Sequence, residues 1–212
     1  IEKWGIAETD AKVESAAIEH LPVIDDADFE TISAAVKATE LVTVQMSDDF
    51  DSIELCDGKS VYTAHWDGLG DDYNSLLKLV FSAETNKASH NVKDLMSKLI
   101  TENLPLDGFV YDTALAAYLL ESTESDYPLE RVSMRYLGTE LHGTEAIYKL
   151  KPVTEEKLKQ LDMEKLYYEI ELPLCQVLAD MQSVGFLVDR AALSEFGASL
   201  NDDIEKLRNE IW

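Results

Sequence analysis

The chain has 212 residues, 46% of them hydrophobic, with 42 acidic against 18 basic side chains and a formal charge of −24. This is enough apolar material for a sizeable core and for one or two domains, but a surface so negative repels phosphate and disfavours DNA binding by this stretch alone. No apolar run of about 18 residues suggests a membrane span, no basic, apolar leader stands at Ile1, and Cys56 and Cys175 lack metal-ligand spacing and read as reduced cytoplasmic thiols.

Residues 1–24 show no strong period. "DDADFETISAAVKATE" then predicts a helix, capped by Asp26 or Asp28, with Phe29, Ile32 and Val36 as its apolar stripe. "LVTVQM" (41–46) is β-branched and short, a buried strand. "SIELCDGKSVYTAH" predicts a hairpin turning at Asp57-Gly58. "DDYNSLLKLVFSA" (71–83) returns to helical spacing through Tyr73, Leu76, Leu77 and Val80. A brief strand at "KASHN", a helix at "VKDLMSKLITENL" and a strand at "GFVYD" follow. "DTALAAYLLES" is a helix on which Asp112 can satisfy the first free N–H groups. "PLERVSMRYLG" is another, bracketed by Pro128 and Gly138. The mixture of a hairpin with strand–helix alternation between 25 and 138 predicts an α/β layer on a mixed sheet.

Residues 139–153 read as a connector. From Thr154 the pattern is helical, with Leu158, Leu161, Leu166, Ile170, Leu174, Val177, Leu178 and Met181 at three- and four-residue intervals. Leu158, Leu174, Val177 and Met181 are expected to be buried. Pro173 should kink or break the run, Gly185 should close it, and Asp189 should cap a last helix. The beginning at Ile1 rather than at a methionine and the end at Trp212 suggest a piece of a longer chain.

"EIELPLCQVLADMQSVGFLVDRAAL" resembles the segment in which bacterial family A DNA polymerases, the DNA polymerase I type, pass from the 3′→5′ exonuclease-like domain into the polymerase domain. The matching pieces are Glu169-Ile170-Glu171-Leu172-Pro173-Leu174, Gly185 and Val188-Asp189. Upstream, "HNVKDLMSKL" and "VYDTALAAYLLES" resemble the family's second exonuclease motif and the strand and helix after it. The resemblance covers roughly 85–190 and continues more weakly through 25–84. It implies a ribonuclease H-like mixed sheet with flanking helices over 1–150, and the helical start of a polymerase domain over 151–212.

The resemblance also implies what an active site would need. Such exonucleases use four carboxylates and two metal ions, which activate water and stabilise the leaving oxygen. The first motif is Asp-x-Glu on the first strand, where residues i and i+2 point the same way. Here the strand is "LVTVQMSDD", and its best-placed same-face polar pair is Thr43 and Gln45, both uncharged. Literal Asp-x-Glu matches at Asp28-Phe29-Glu30 and Asp162-Met163-Glu164 lie on predicted helices, where such residues diverge by about 200°. In the second motif Asn91 and Lys93 fit, but Leu95 holds the carboxylate position and Asp94 comes one residue early. The third motif, Tyr-x3-Asp, is absent; Tyr136-x3-Glu140 and Tyr167-x3-Glu171 come nearest.

The expectation is therefore a proofreading fold without catalytic, cofactor-binding or metal residues, and without a cofactor of its own. Mg²⁺ and DNA would belong to the full-length parent, whose polymerase region lies beyond Trp212. The alternative is an active exonuclease with displaced ligands at Asp48, Asp49 and Asp94. A third reading is an acidic module that binds a basic protein. The run Asp48, Asp49, Asp51 could ligate a hard cation, though a solvated loop explains it as well, and "DGLGDD" (67–72) reads as an acidic turn. The four histidines are scattered. His90 reads as a packing residue, and Tyr167 and Tyr168 as helix packing rather than a base-stacking platform. No partner other than DNA and no oligomeric state is specified by the pattern.

Overall fold

The computed structural model describes residues 19–211. The first eighteen residues and Trp212, parts of the expected 1–150 and 151–212 divisions, lie outside the described residues. The elements run β1 (Val23–Ile24), α1 (Phe29–Ala38), β2 (Val42–Met46), β3 (Ser52–Cys56), β4 (Val61–His65), α2 (Trp66–Leu69), α3 (Asp71–Val80), β5 (Lys87–Ser89), α4 (Val92–Thr101) and β6 (Phe109–Asp112). Then come α5 (Thr113–Leu120), α6 (Leu129–Leu137), α7 (Gly143–Gln160), α8 (Glu164–Leu166), a π-helical turn (Tyr167–Glu171), α9 (Leu172–Val184) and α10 (Arg190–Ile211).

The strands form one mixed sheet in the order β1-β4-β3-β2-β5-β6. The β2–β3 and β3–β4 pairs are antiparallel, and the β1–β4, β2–β5 and β5–β6 pairs are parallel. Alternation along β2 sends Val42 and Val44 into a core shared with Ile32 of α1, Leu76 of α3 and Leu99 of α4. Thr43 points to the opposite face, where its hydroxyl donates to the Thr144 carbonyl at 2.8 Å. That second face carries Ala88, Tyr111, Ala117, Val132, Ile147 and Leu150 under α5, α6 and α7. With helices on both faces, this is the mixed-sheet α/β layer that the pattern predicts and the ribonuclease H-like fold that the resemblance implies.

Local signals explain most boundaries. Asp28 caps α1, accepting from Thr31 N at 2.7 Å. Gly138 ends α6 at φ 75, a conformation in which a side chain would be strained. Gly185 ends α9 at φ 66, and Asp189 caps α10, accepting from Ala191 and Ala192 N at 3.0 Å.

Several expectations are corrected. The connector expected at 139–153 is mostly helix: α7 starts at Gly143 and carries Pro152 inside it. It runs to Gln160, and Leu150, Thr154 and Leu158 are all fully buried. The expected acidic turn at 67–72 is helical on both sides of Gly70. Asp162 lies in the turn after α7, at φ 56, not on a helix. Directly before Pro173 the α-helical run is interrupted, as a π turn over Tyr167–Glu171, and it resumes as α9 from Leu172. Leu158 is buried as expected, but Leu174, Val177 and Met181 are 37%, 51% and 64% exposed.

Asp112 is the tie point. Its carboxylate, 3% exposed, accepts from Ala114 N (2.9 Å) and Leu115 N (3.3 Å) at the start of α5. It also accepts from Asn91 N (3.0 Å) and Val92 N (2.8 Å) at the start of α4. Burial pushes this carboxyl above its usual range, and the amides of Val92, Leu115 and Ala114 pull it back. Asp112→Ala removes the caps of two helices at once. At about 0.5–2 kcal/mol for each cap, it should cost roughly 1–4 kcal/mol in a urea melt, and a loss near zero would refute this role.

Lys87 on β5 is fully buried. Its ammonium donates to the carbonyls of Thr85 (2.7 Å), Asp107 (2.5 Å) and Ser82 (3.1 Å) and stands 5.1 Å from the centre of the Phe109 ring. Burial pushes its pKa down from 10.5 to about 8. As pH rises through about 8 the folded chain releases this proton while the unfolded chain keeps it until 10.5. The group's contribution to stability therefore rises with pH across that window. Melts of the parent chain and Lys87→Met, compared from about pH 7.5 to about pH 9.5, should show the gap between them shifting in the parent's favour.

Candidate functional site

The parallel strands β2 and β5 end side by side, and α4 starts directly after β5. This places a cleft of about 240 Å³ at the strand ends, lined by Gln45, Met46, Asp48, Ser89, His90, Asn91, Asp94, Leu95 and Lys98. Asn91 makes the turn from strand to helix at φ 61. His90 is held on both ring nitrogens: Nδ1 lies 2.8 Å from Thr113 Oγ1 and Nε2 2.7 Å from the Tyr127 carbonyl. Burial lowers its pKa, so a neutral, structurally bonded ring suits the pocket. Ser89 Oγ donates to the Val44 carbonyl at 2.8 Å.

Thr43 and Gln45 share a face, as period two requires, but they differ in environment. Thr43 is fully buried and bonded to α7, whereas Gln45 is exposed at the cleft. Leu95 is 8% exposed and belongs to the first core. Of the displaced-ligand candidates, Asp48 and Asp94 both line the cleft. Each has a lysine: Asp48 lies 2.5 Å from Lys98 Nζ, and Asp94 2.7 Å from Lys93 Nζ. Asp49 is turned into its own loop, accepting from Ser47 Oγ at 2.6 Å and from Asp51 N at 3.2 Å. Its carboxyl is lowered by the Ser47 hydroxyl first and then by the Asp51 amide. Among the described residues, no group of three or more His, Cys, Asp or Glu side chains is placed to hold one metal ion.

The nearest third-motif pairs stand elsewhere. Tyr136 closes α6, and Glu140 lies 3.7 Å from His142 Nε2. Tyr167 is fully buried, its hydroxyl bonded to the backbone of Asp112, accepting from its N–H at 2.6 Å and donating to its carbonyl at 3.0 Å. Glu171 ends the π turn. Tyr168 bonds Glu155. These tyrosines are helix packing, as expected.

One carboxylate was missed. Glu54 pairs with Gln45 across the β2–β3 ladder and accepts from Thr144 N (2.5 Å) and Thr144 Oγ1 (2.8 Å) at the start of α7. The alternation Ile53-Glu54-Leu55 marks it as facing away from the first core. What hid its role was the unread start of α7. Its charge serves a helix N-terminus. Lys98, on the turn after Asp94, was likewise not singled out.

Among the described residues no helix is long and apolar enough to cross a membrane. No protein-family model matches the chain. It is 30% identical over 146 residues to DNA polymerase I of Caldicellulosiruptor bescii, an alignment covering 65% of this chain and 17% of that protein; it therefore spans less than a fifth of that relative. The POL domain of Pol1 from M. smegmatis, solved with DNA primer-template and dNTP, matches its fold with a TM-score of 0.71 at 23% identity, over 86% of this chain and 35% of the other. Brucella melitensis NrnC matches with a TM-score of 0.60 at 10% identity, over 81% of this chain and 98% of the other. The chain is thus similar in sequence to part of bacterial DNA polymerase I, and its fold is ribonuclease H-like.

Proposed function

We propose that the chain is part of a DNA-directed DNA polymerase of the DNA polymerase I type. In this reading its sheet body, closed by α7, is a degenerate 3′→5′ exonuclease-like unit that supports DNA synthesis without hydrolysing DNA. The helices after it begin the polymerase domain. Mg²⁺ and DNA are then bound by the parent polymerase, in the cytoplasm, during replication or repair.

The observation that carries this reading is the chemistry of the cleft. Two-metal hydrolysis needs several carboxylates converging to hold the ions and offset their charge. The positions that the resemblance assigns to ligands hold Thr43, Gln45 and Leu95, a hydroxyl bonded to a helix, a neutral amide and a core leucine. This donor set does not fit a metal pair. The second reading, displaced ligands, draws on the presence of Asp48 and Asp94 in the same cleft. Against it, each already has a lysine at ion-pair distance.

The deciding assay is single-stranded DNA incubated with highly purified chain and Mg²⁺ or Mn²⁺. No shortening from the 3′ end is expected. Metal-dependent shortening that disappears in Asp48→Ala or Asp94→Ala would establish the displaced-ligand enzyme instead. Shortening that survives both substitutions and Asp49→Ala points to a contaminating nuclease.

The charge of −24 gives a second expectation. Titrated against labelled primer-template near physiological salt, the chain alone should bind weakly, at or above the roughly micromolar range of non-specific contacts. Sub-micromolar binding with a steep salt slope would contradict the reading that the DNA groove lies in the parent's polymerase region.

A further inference from the structure

Two acidic stretches of the sequence, the run Asp48, Asp49, Asp51 and the segment at 67–72, meet around one exposed aromatic ring. Ser52 pairs with His65 across the β3–β4 ladder, so Asp51 and Trp66 stand opposite each other just beyond it. The Trp66 N–H donates to the Asp51 carbonyl at 2.8 Å. Gly70, at φ 55, turns the chain from α2 into α3. The Trp66 and Tyr73 rings meet edge to face, with centroids 6.0 Å apart and planes at 90°. That contact holds the indole near the first turn of α3, which carries Asp71 and Asp72. Trp66 is 43% exposed, and Tyr73 is buried.

The described residues leave this surface without a cation. Asp49, Asp51, Asp67, Asp71 and Asp72 are all exposed. Among the described residues none of them has a lysine, arginine or histidine at ion-pair distance. Lys98 is engaged by Asp48, and His65 faces Asp26. Lys87, Lys151 and Lys157 each lie over an aromatic ring, but among the described residues no cation lies over Trp66. The elbow is open: a Cβ added at Gly68 or Gly70 would meet nothing within 4 Å. Below it, the buried Tyr73 hydroxyl has no hydrogen-bond partner. Burial raises its pKa, and the charges that raise it further are Asp51 and Asp49, which places the hydroxyl on the side of the acidic loop.

We propose that Trp66, with Asp51, Asp67, Asp71 and Asp72 around it, docks an arginine-bearing segment of a basic partner protein. A guanidinium is planar and weakly hydrated, so it stacks on an indole face while its fork of N–H donors reaches carboxylates. An ammonium is more strongly hydrated and makes the same contacts less well. The carboxylates repel phosphate, which disfavours a nucleic acid strand stacked on the same ring. A divalent ion is a poorer occupant too, because among the described residues no three carboxylates converge on one point. A peptide brings several cations at separate positions, which is how these aspartates are spread. The charge of −24 is diffuse over the chain, and the exposed indole gives the partner one place on it.

The probe is a fluorescein-labelled peptide of arginines separated by glycine and serine, titrated by anisotropy against the whole chain at about 0.15 M salt. Saturable binding is expected, weaker for the same peptide with lysines in place of arginines. Trp66→Ala should weaken it by about fivefold or more. Trp66 also supports Tyr73, so Trp66→Phe, which keeps an aromatic contact there, should retain part of the binding. The triple change Asp67→Asn, Asp71→Asn and Asp72→Asn alters only exposed side chains and should weaken binding at least as much as Trp66→Ala. A control removes the same charge from exposed positions on α10, through Glu195→Gln, Asp202→Asn and Glu210→Gln, and should leave the affinity unchanged. Equal losses from the two triple changes would reduce the effect to diffuse charge and overturn the site. No binding of the arginine peptide, equal binding of the lysine peptide, or displacement of the bound peptide by single-stranded DNA would overturn it as well.

Discussion

The structure depends on one buried carboxylate. Asp112 ends β6 and holds the first turns of both α4 and α5 through four amide hydrogens. Helix N-termini are electropositive and carry unsatisfied donors, so two of them meeting at the end of a parallel strand pair need an anion between them. Here the chain supplies its own. The consequences spread outward: α4 is set over the first core, α5 over the second, and the Asp112 backbone receives the Tyr167 hydroxyl, where the later helices attach. The same arrangement fixes the turn at Asn91, and so shapes the cleft beside β2.

This explains why, on the proposed reading, the resemblance persists in the framework and not in the chemistry. The asparagine at the turn and the aspartate behind it are needed to close the fold, whatever the cleft does. Thr43, Gln45 and Leu95 answer to other demands. Thr43 ties the sheet to α7, Leu95 fills the first core, and Gln45 meets solvent. On the proposed reading, packing constraints continued to act where catalytic ones had ceased.

Much of the sheet body was legible because short-range signals and tertiary burial agree there. The apolar alternation of β2, the Asp28, Asp112 and Asp189 caps and the Gly138 and Gly185 stops all operate within a few residues. The start of α7 was not legible: "HGTEAIYKLKP" opens on glycine and carries a proline, both poor helix signals. What makes it a helix is tertiary, since Glu54 caps it from another strand and Ile147 and Leu150 meet the sheet. Once that start was missed, the role of Glu54 went unread with it. The stripe on α9 failed in the opposite sense. Periodicity identifies a face that should be covered, but it does not say by what, and Val177 and Met181 face solvent in this chain.

The electrostatics of the cleft close the argument. In a two-metal site the carboxylates repel one another and the ions offset that repulsion. Here the aspartates that line the cleft are offset by the protein's own cations, Asp48 by Lys98 and Asp94 by Lys93. Asp48 is fully exposed and Asp94 largely so, so neither pair is an argument for stability; their importance lies in local charge. In a chain with 42 acidic and 18 basic side chains, lysines are scarce, and two of them stand on α4 beside the cleft. Recruiting a metal pair there would bring the ions against two ammonium groups with neutral Gln45 as the neighbouring strand residue. The lysines pair with both aspartates of the cleft, which on the proposed reading is the physical sense in which such a fold can remain intact without metal chemistry.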